Sequence, residues 1–317
     1  MDRHYRAGPR LTPPTRWSMM PAMASVAILT LALLSPSSAA PPAPPPHREA
    51  VVVRTVENMY SAPSLDKDVT SQAYLGQVVT VLETRGAFAK IETPDRYRGW
   101  IPLSALRPYT SKTAPRYASR GRVAEVVSLV ALVYREADVT TYRPKAKAPL
   151  GARLELVKEA TDGRWHRVRL PDGDEGFVQK GDVSLREAGD KTPRGSGPEL
   201  VATARRLLGV PYLWGGMTPL GVDCSGFVSL VYRVHGRVLP RDADLQFDDP
   251  ESSPVEKDRL AAGDLLFFGK TTITHVGMYM GDGRFIDATT HETPVVREDR
   301  LDDPHWAELY KGARRPK

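Results

Sequence analysis

A single cysteine, Cys224, serves the whole 317-residue chain, and that scarcity excludes an internal disulfide. A lone thiol is either buried and inert or kept for its reactivity. Paired metal-ligand spacings are missing as well. With no HExxH and no CxxC, Cys224, His275, His291 and His305 stand scattered rather than grouped for zinc. An apolar run of the ~20 residues that a bilayer crossing requires is also lacking; the run from Ala22 to Leu34 falls short. No cysteine follows that run, so a lipid anchor has no attachment point. Nor does one sign of charge dominate. The net charge of +6 falls to +3 once the four arginines and one aspartate of residues 1–40 are set aside. Four of the remaining basic residues crowd into the final "KGARRPK". A body so close to neutral argues against nucleic acid as the main partner.

What is present begins with a targeting pattern. Arg3, Arg6, Arg10 and Arg16 precede the apolar run and "SPSSAA" follows it. This layout is that of a secretory signal cut after Ala39, with an uncleaved anchor as the alternative. Residues 1–39 are therefore expected to be removed, placing the protein in the periplasm or outside the cell with no membrane contact after cleavage. "PPAPPP" at 41–46 then makes residues 40–48 an extended linker.

Short alternating apolar runs such as "QVVTVLET" and "GWIPLSAL" fill residues 49–110, separated by turn residues, and predict a small all-β unit. A second copy follows over 120–187. "PDRYRGW" (94–100) and "PDGDEGF" (171–177) lie 77 residues apart, as do Phe88 and Trp165. Two barrels of five or six strands are expected, against one larger β-sandwich. The repeated Gly-aromatic strand after a polar turn resembles bacterial SH3-like domains, which implies a wall-associated setting.

After the polar linker "REAGDKTPRGSG" (186–197) the pattern becomes helical. Leu200, Ala204, Leu207 and Leu208 share one helical face behind Ser196 as N-cap and Pro198 in the first turn. A second helix is expected from Asp223 to just before Gly236, burying Phe227, Leu230, Val231 and Val234. Strands follow at 264–269, 275–281 and 284–289, so helices precede strands in an α+β unit over 196–316. With Asp223 as N-cap, Cys224 falls in the first turn, where free N–H groups and the positive dipole end favour a thiolate. Ser225 and Gly226 add little bulk beside the sulfur. A thiolate nucleophile needs a base. His275 opens a strand downstream, and Asp287, twelve residues further on, lies at hairpin distance to orient it. His291 is the alternative third residue.

"PYLWGG" (211–216), "VDCSGFV" (222–228), "LPRDADLQ" (239–246), "GDLLFF" (263–268), "THVGMYMG" (274–281), "RFIDA" (284–288) and "GARR" (312–315) occur in an order that resembles the NlpC-type cell-wall cysteine peptidases. With two SH3-like units in front, the chain is similar to the γ-D-glutamyl-L-diamino-acid endopeptidases of that family. The resemblance implies an α+β papain-like catalytic domain preceded by two small all-β SH3-like barrels, and peptidoglycan stem peptides or muropeptides as substrate, without a metal or cofactor. It makes Cys224 the nucleophile and His275 the base. The family's third polar residue, often histidine, is Asp287 here. Tyr212 matches a tyrosine that helps hold the oxyanion, and Trp214 either lines the groove or packs in the core. Asp223 and Ser225 are expected to meet the stem peptide, with helix capping as the other reading of Asp223. Asp242 is expected to pair with a free N-terminal L-alanine ammonium; otherwise it is a surface turn residue. Ala243 stands where serine is common. The first barrel is expected to close one end of the groove, with Tyr60, Tyr74 and Tyr97 as candidates. A decayed wall-binding protein and a thiol amidase or acyltransferase are the rival readings.

Overall fold

Alternation of apolar and polar residues folds the first segment into seven strands: β1 (Arg48–Val52), β2 (Val56–Tyr60), β3 (Val69–Tyr74), β4 (Val78–Arg85), β5 (Phe88–Glu92), β6 (Arg98–Pro102) and β7 (Leu106–Pro108). The computed structural model describes residues 48–109, 115–161 and 163–317; the expected signal 1–39 and all but the last residue of the linker 40–48 lie outside the described residues. The sheet runs β3-β2-β6-β5-β4-β1-β7. Val52, Met59, Ala73, Ile91 and Ile101 fill its interior.

The second segment repeats this plan. Its strands are β8 (Arg122–Val126), β9 (Val130–Tyr134), β10 (Ala146–Pro149), β11 (Arg153–Lys158), β12 (Trp165–Arg169), β13 (Glu175–Gln179) and β14 (Val183–Glu187). Their order, β10-β9-β13-β12-β11-β8-β14, is the order of the first sheet shifted by seven strands. The 77-residue offset seen in the sequence carries β5 onto β12 and β6 onto β13 residue for residue. It also carries the 3-10 turn Leu103–Ala105 onto Lys180–Asp182. Each unit has its own apolar cluster, so these are two sheets and not one sandwich. Seven strands replace the expected five or six, because each chain leaves its 3-10 turn and adds a closing strand beside the first.

The third segment opens with α1 (Gly197–Arg205), where the Ser196 N–H donates to the Glu199 carboxylate at 2.7 Å. This helix is shorter than the sequence pattern suggests. Leu207 is buried beyond its end, whereas Leu208 is 45% exposed and does not share the apolar face. A two-strand ribbon, β15 (Met217–Thr218) and β16 (Gly221–Val222), leads into α2 (Cys224–Val234), and α3 (Ala243–Phe247) follows. The remaining elements are β17 (Ser252–Val255), β18 (Leu265–Phe268), β19 (His275–Gly281), β20 (Arg284–Thr289), β21 (Val295–Arg300), α4 (Pro304–Leu309) and β22 (Tyr310–Pro316). Apart from α4, they form one antiparallel sheet of order β17-β22-β18-β19-β20-β21.

Helix α2 lies against this sheet through Phe227, Leu230 and Val231, which share a cluster with Leu265, Phe267, Val276, Met278 and Ile286. Each such side chain, fully buried, contributes about 1.5–3 kcal/mol. The core thus presses the start of α2 toward the start of β19. The second barrel joins the same core through Leu150, with Leu129 packed against it. It also meets the first barrel, since Leu75, just past β3, is buried in the second barrel's apolar cluster.

Candidate active site

Cys224 is the first residue of α2. Asp223 caps the helix, accepting from the Gly226 N–H at 2.7 Å through Oδ1 and from the Gly215 N–H at 2.9 Å through Oδ2. The cap therefore ties the helix start to the "PYLWGG" loop. Gly226 is required by a close approach: a Cβ there would stand 2.0 Å from the Gly216 carbonyl oxygen. The chain that approaches Gly226 at this point is the protein's own loop.

His275 begins β19 and Asp287 lies on β20. The register sets Met278 opposite Ile286, so Gly277 faces Asp287 and His275 is its diagonal neighbour on the same face. A Cβ on residue 277 would fall 2.7 Å from the Phe285 ring and 3.1 Å from the Asp287 Cβ. Glycine leaves the diagonal open, and His275 Nε2 meets Asp287 Oδ2 at 2.6 Å. The Cys224 side chain is the other polar neighbour of the imidazole. Burial alone pushes the imidazolium down. The hydrogen bonds to Asp287 and Cys224, with the charges of both, outweigh it and raise the histidine pKa from 6.5 to about 10. Such a centre holds its proton on the imidazole, next to the sulfur. His291 is elsewhere, stacked on His305 with ring centroids 3.8 Å apart.

A groove runs past the sulfur between the third segment and the first barrel. Tyr212, Trp214, Asp223, Ser225 and Asp242 all line it, together with Asp68 and Tyr97 from the barrel. Trp214 is 69% exposed, so it forms a wall of the groove and not part of the core; its indole N–H donates to the Val69 carbonyl at 2.9 Å. Burial first, then the negative charges of Cys224 and Asp223, push the Tyr212 phenol above its usual range and keep it a donor. Of the three tyrosine candidates only Tyr97 reaches the groove. Tyr60 is buried against Phe88, and Tyr74 lies beneath the Arg233 guanidinium at 4.0 Å. Tyr97 hydrogen-bonds to Asp242, and burial with that carboxylate's charge pushes its phenol up to about 12. Asp242 is half-buried; burial raises its carboxyl, against the pull of Arg241 and Tyr97.

Asp223 and Ser225 line the groove while their polar atoms are already engaged. Arg241, buried, donates to Asp223 Oδ2 at 2.6 Å, to Asp223 Oδ1 at 3.1 Å and to the Ser225 hydroxyl at 2.9 Å. Its Nε donates to the Ser71 hydroxyl of the first barrel at 2.9 Å. Capping is thus the work the geometry gives Asp223. Sequence reading passed over Arg241, Gly277 and Ser71. The arginine stood in the quoted "LPRDADLQ", and the glycine one residue beyond Val276 in "THVGMYMG"; nothing in the chain around Ser71 marks it.

Among families of known proteins, the model described as NlpC/P60 family matches residues 209–315, and the one described as bacterial dipeptidyl-peptidase Sh3 domain matches residues 59–106. Over 260 residues the chain is 32% identical to a gamma-D-glutamyl-L-lysine dipeptidyl-peptidase of Bacillus cereus, covering 77% of this chain and 74% of that protein. A protein of the same name from Bacillus subtilis is 29% identical, over 70% of this chain and 72% of that one. The crystal structure of an NlpC/P60 family protein from Bacillus cereus superposes with a TM-score of 0.73 at 27% identity, covering 84% of this chain and 99% of that one.

Proposed function

Because the chain belongs to the NlpC/P60 family, we propose that it is a cysteine endopeptidase that hydrolyses the γ-D-glutamyl–diamino acid bond of peptidoglycan stem peptides. The observation that carries this reading is the line from Cys224 at the start of α2 to His275 and on to Asp287, the last link 2.6 Å long. The thiolate attacks the γ-amide carbonyl, and the Cys224 N–H with the Tyr212 hydroxyl receives the oxyanion. His275 gives its proton to the departing amine, leaving a thioester. It then takes a proton from water, whose oxygen attacks the thioester carbonyl; the acyl group leaves as the acid and the thiolate–imidazolium pair is restored. Asp287 holds the ring and its charge.

The finer assignment is a preference for a free N-terminal L-alanine, whose ammonium Asp242 pairs beside Tyr97 while Trp214 walls the peptide. An acylated amine would leave a half-buried carboxylate without its partner. Residues 1–39 act as an export signal, so the enzyme works in the periplasm or outside the cell, on muropeptides or intact wall. Mass spectrometry of L-Ala-γ-D-Glu-diaminopimelate after incubation tests the reading. Release of the Ala-Glu dipeptide is expected, lost in Cys224→Ala and after iodoacetamide but not with a chelator; an uncut tripeptide overturns it. Asp242→Ala is expected to erase discrimination between the free and N-acetylated tripeptide, and equal cleavage of both by the unaltered protein would sink the amine assignment.

A further inference from the structure

The His275 ring is held by Asp287 at Nε2, with the Cys224 side chain as its other polar neighbour. Contacts made at the ring edge leave the two faces of the imidazole open. One face is covered by an aromatic side chain. Trp306 of α4 stacks there, with ring centroids 5.0 Å apart and planes 24° from parallel. The indole is 3% exposed and is itself boxed in. Phe268 and Phe285 pack edgewise against it at 5.0 and 5.4 Å. His291 and His305 abut it at 5.7 and 4.8 Å. Their mutual stack closes the outer side, which is how the histidine weighed as a third catalytic residue comes to stand behind the tryptophan.

We propose that Trp306 is a positioning residue for the reaction: its indole face sets the plane of His275 and keeps water from the His275–Asp287 bond. An indole is the strongest aromatic partner for a cation laid over its face, so the same contact favours the imidazolium on which thiolate chemistry depends. Cys224 and Asp287 are the charged groups facing the ring, with Asp299 and Arg297 behind Asp287. This inference rests on His275 being the base of the proposed peptidase, and it adds a side chain that meets neither substrate nor sulfur.

The test compares Trp306→Met, similar in length but without a π face, with Trp306→Phe, which keeps a smaller one. Two readouts are followed: tripeptide kinetics, and the pH profile of Cys224 alkylation by iodoacetamide, which needs no substrate. For Trp306→Met kcat is expected to fall about tenfold or more with KM within about twofold, because orientation and not binding is lost. The alkaline limb of the alkylation profile is expected to move down by about one pH unit, the loss of a desolvated cation–π contact. Trp306→Phe should recover most of both. Wild-type kcat and an unmoved alkylation limb in Trp306→Met overturn the proposal, as does an identical loss in both variants. If Trp306→Met fails to fold, Trp306→Phe decides: a small downward shift of the limb supports the proposal, and none overturns it. A protein that leaves the tripeptide uncut but keeps the shifted limb would sink the peptidase reading while leaving the stacking role standing.

Discussion

An imidazolium wedged between a carboxylate and a sulfur makes His275 a place where pH reaches this molecule. Its partners are gained only on folding, and they lift its pKa from 6.5 to about 10. The stability it contributes is therefore whole below the ordinary histidine value and is lost as pH rises toward about 10. Asp287→Asn removes the charge that holds the proton. Its stability deficit against the unaltered protein, followed by urea denaturation, is expected to be largest near the lower end of that window and to shrink toward the upper end. A deficit constant across the range would argue against the ion pair. On the tripeptide, the same substitution is expected to lower kcat by about 100-fold or more, since an amide favours the wrong tautomer.

Two elements, α2 and the β19–β20 hairpin, bring these residues together, and small residues at their contacts decide how well. Gly277 keeps the diagonal between His275 and Asp287 open. Gly277→Ala would drive a methyl toward the Phe285 ring and the Asp287 Cβ. Fully buried β-structure yields little at such distances, so the aspartate has to move. We expect kcat to drop about 10- to 100-fold with KM little altered, and steady-state kinetics on the free tripeptide would check it. Restored activity in Gly277→Ala would mean that the hairpin, not the glycine, sets the spacing. The same reasoning explains why the glycine went unread in the sequence: its importance lies in a neighbour ten positions away, across a register that no local pattern specifies.

Across the whole molecule, the first barrel is sewn to the start of α2 and the loop before it. Its strand β3 supplies the Val69 carbonyl to Trp214, the Ser71 hydroxyl to Arg241 and the Gln72 side chain to the Met217 N–H. Arg241 in turn grips the cap of α2. Ser71→Ala leaves a buried guanidinium N–H without its acceptor, which costs about 1–3 kcal/mol. Chemical denaturation should show that loss, and the rate of Cys224 alkylation should fall with it if the barrel steadies the helix start. Full stability in Ser71→Ala would reduce the barrel to a wall of the groove.

Many of the strands, the repeat and the order of the chemical residues were legible in the chain because each depends on neighbours in sequence. Alternation marks a strand, an aspartate before a small-residue turn marks a helix start, and a 77-residue offset marks duplication. The cysteine at a helix start and the histidine at a strand start stood out as candidates for the same reason. That Asp287 and not His291 bonds His275, and that Tyr97 and not Tyr60 or Tyr74 lines the groove, depends on the register of β20 on β19 and the seating of the first barrel on the groove. Arg241, Gly277 and Trp306 likewise acquire their meaning only from partners distant in the chain. Contacts of that kind are set by how buried faces pack against one another, and packing is a property of the assembled core that no stretch of sequence carries alone.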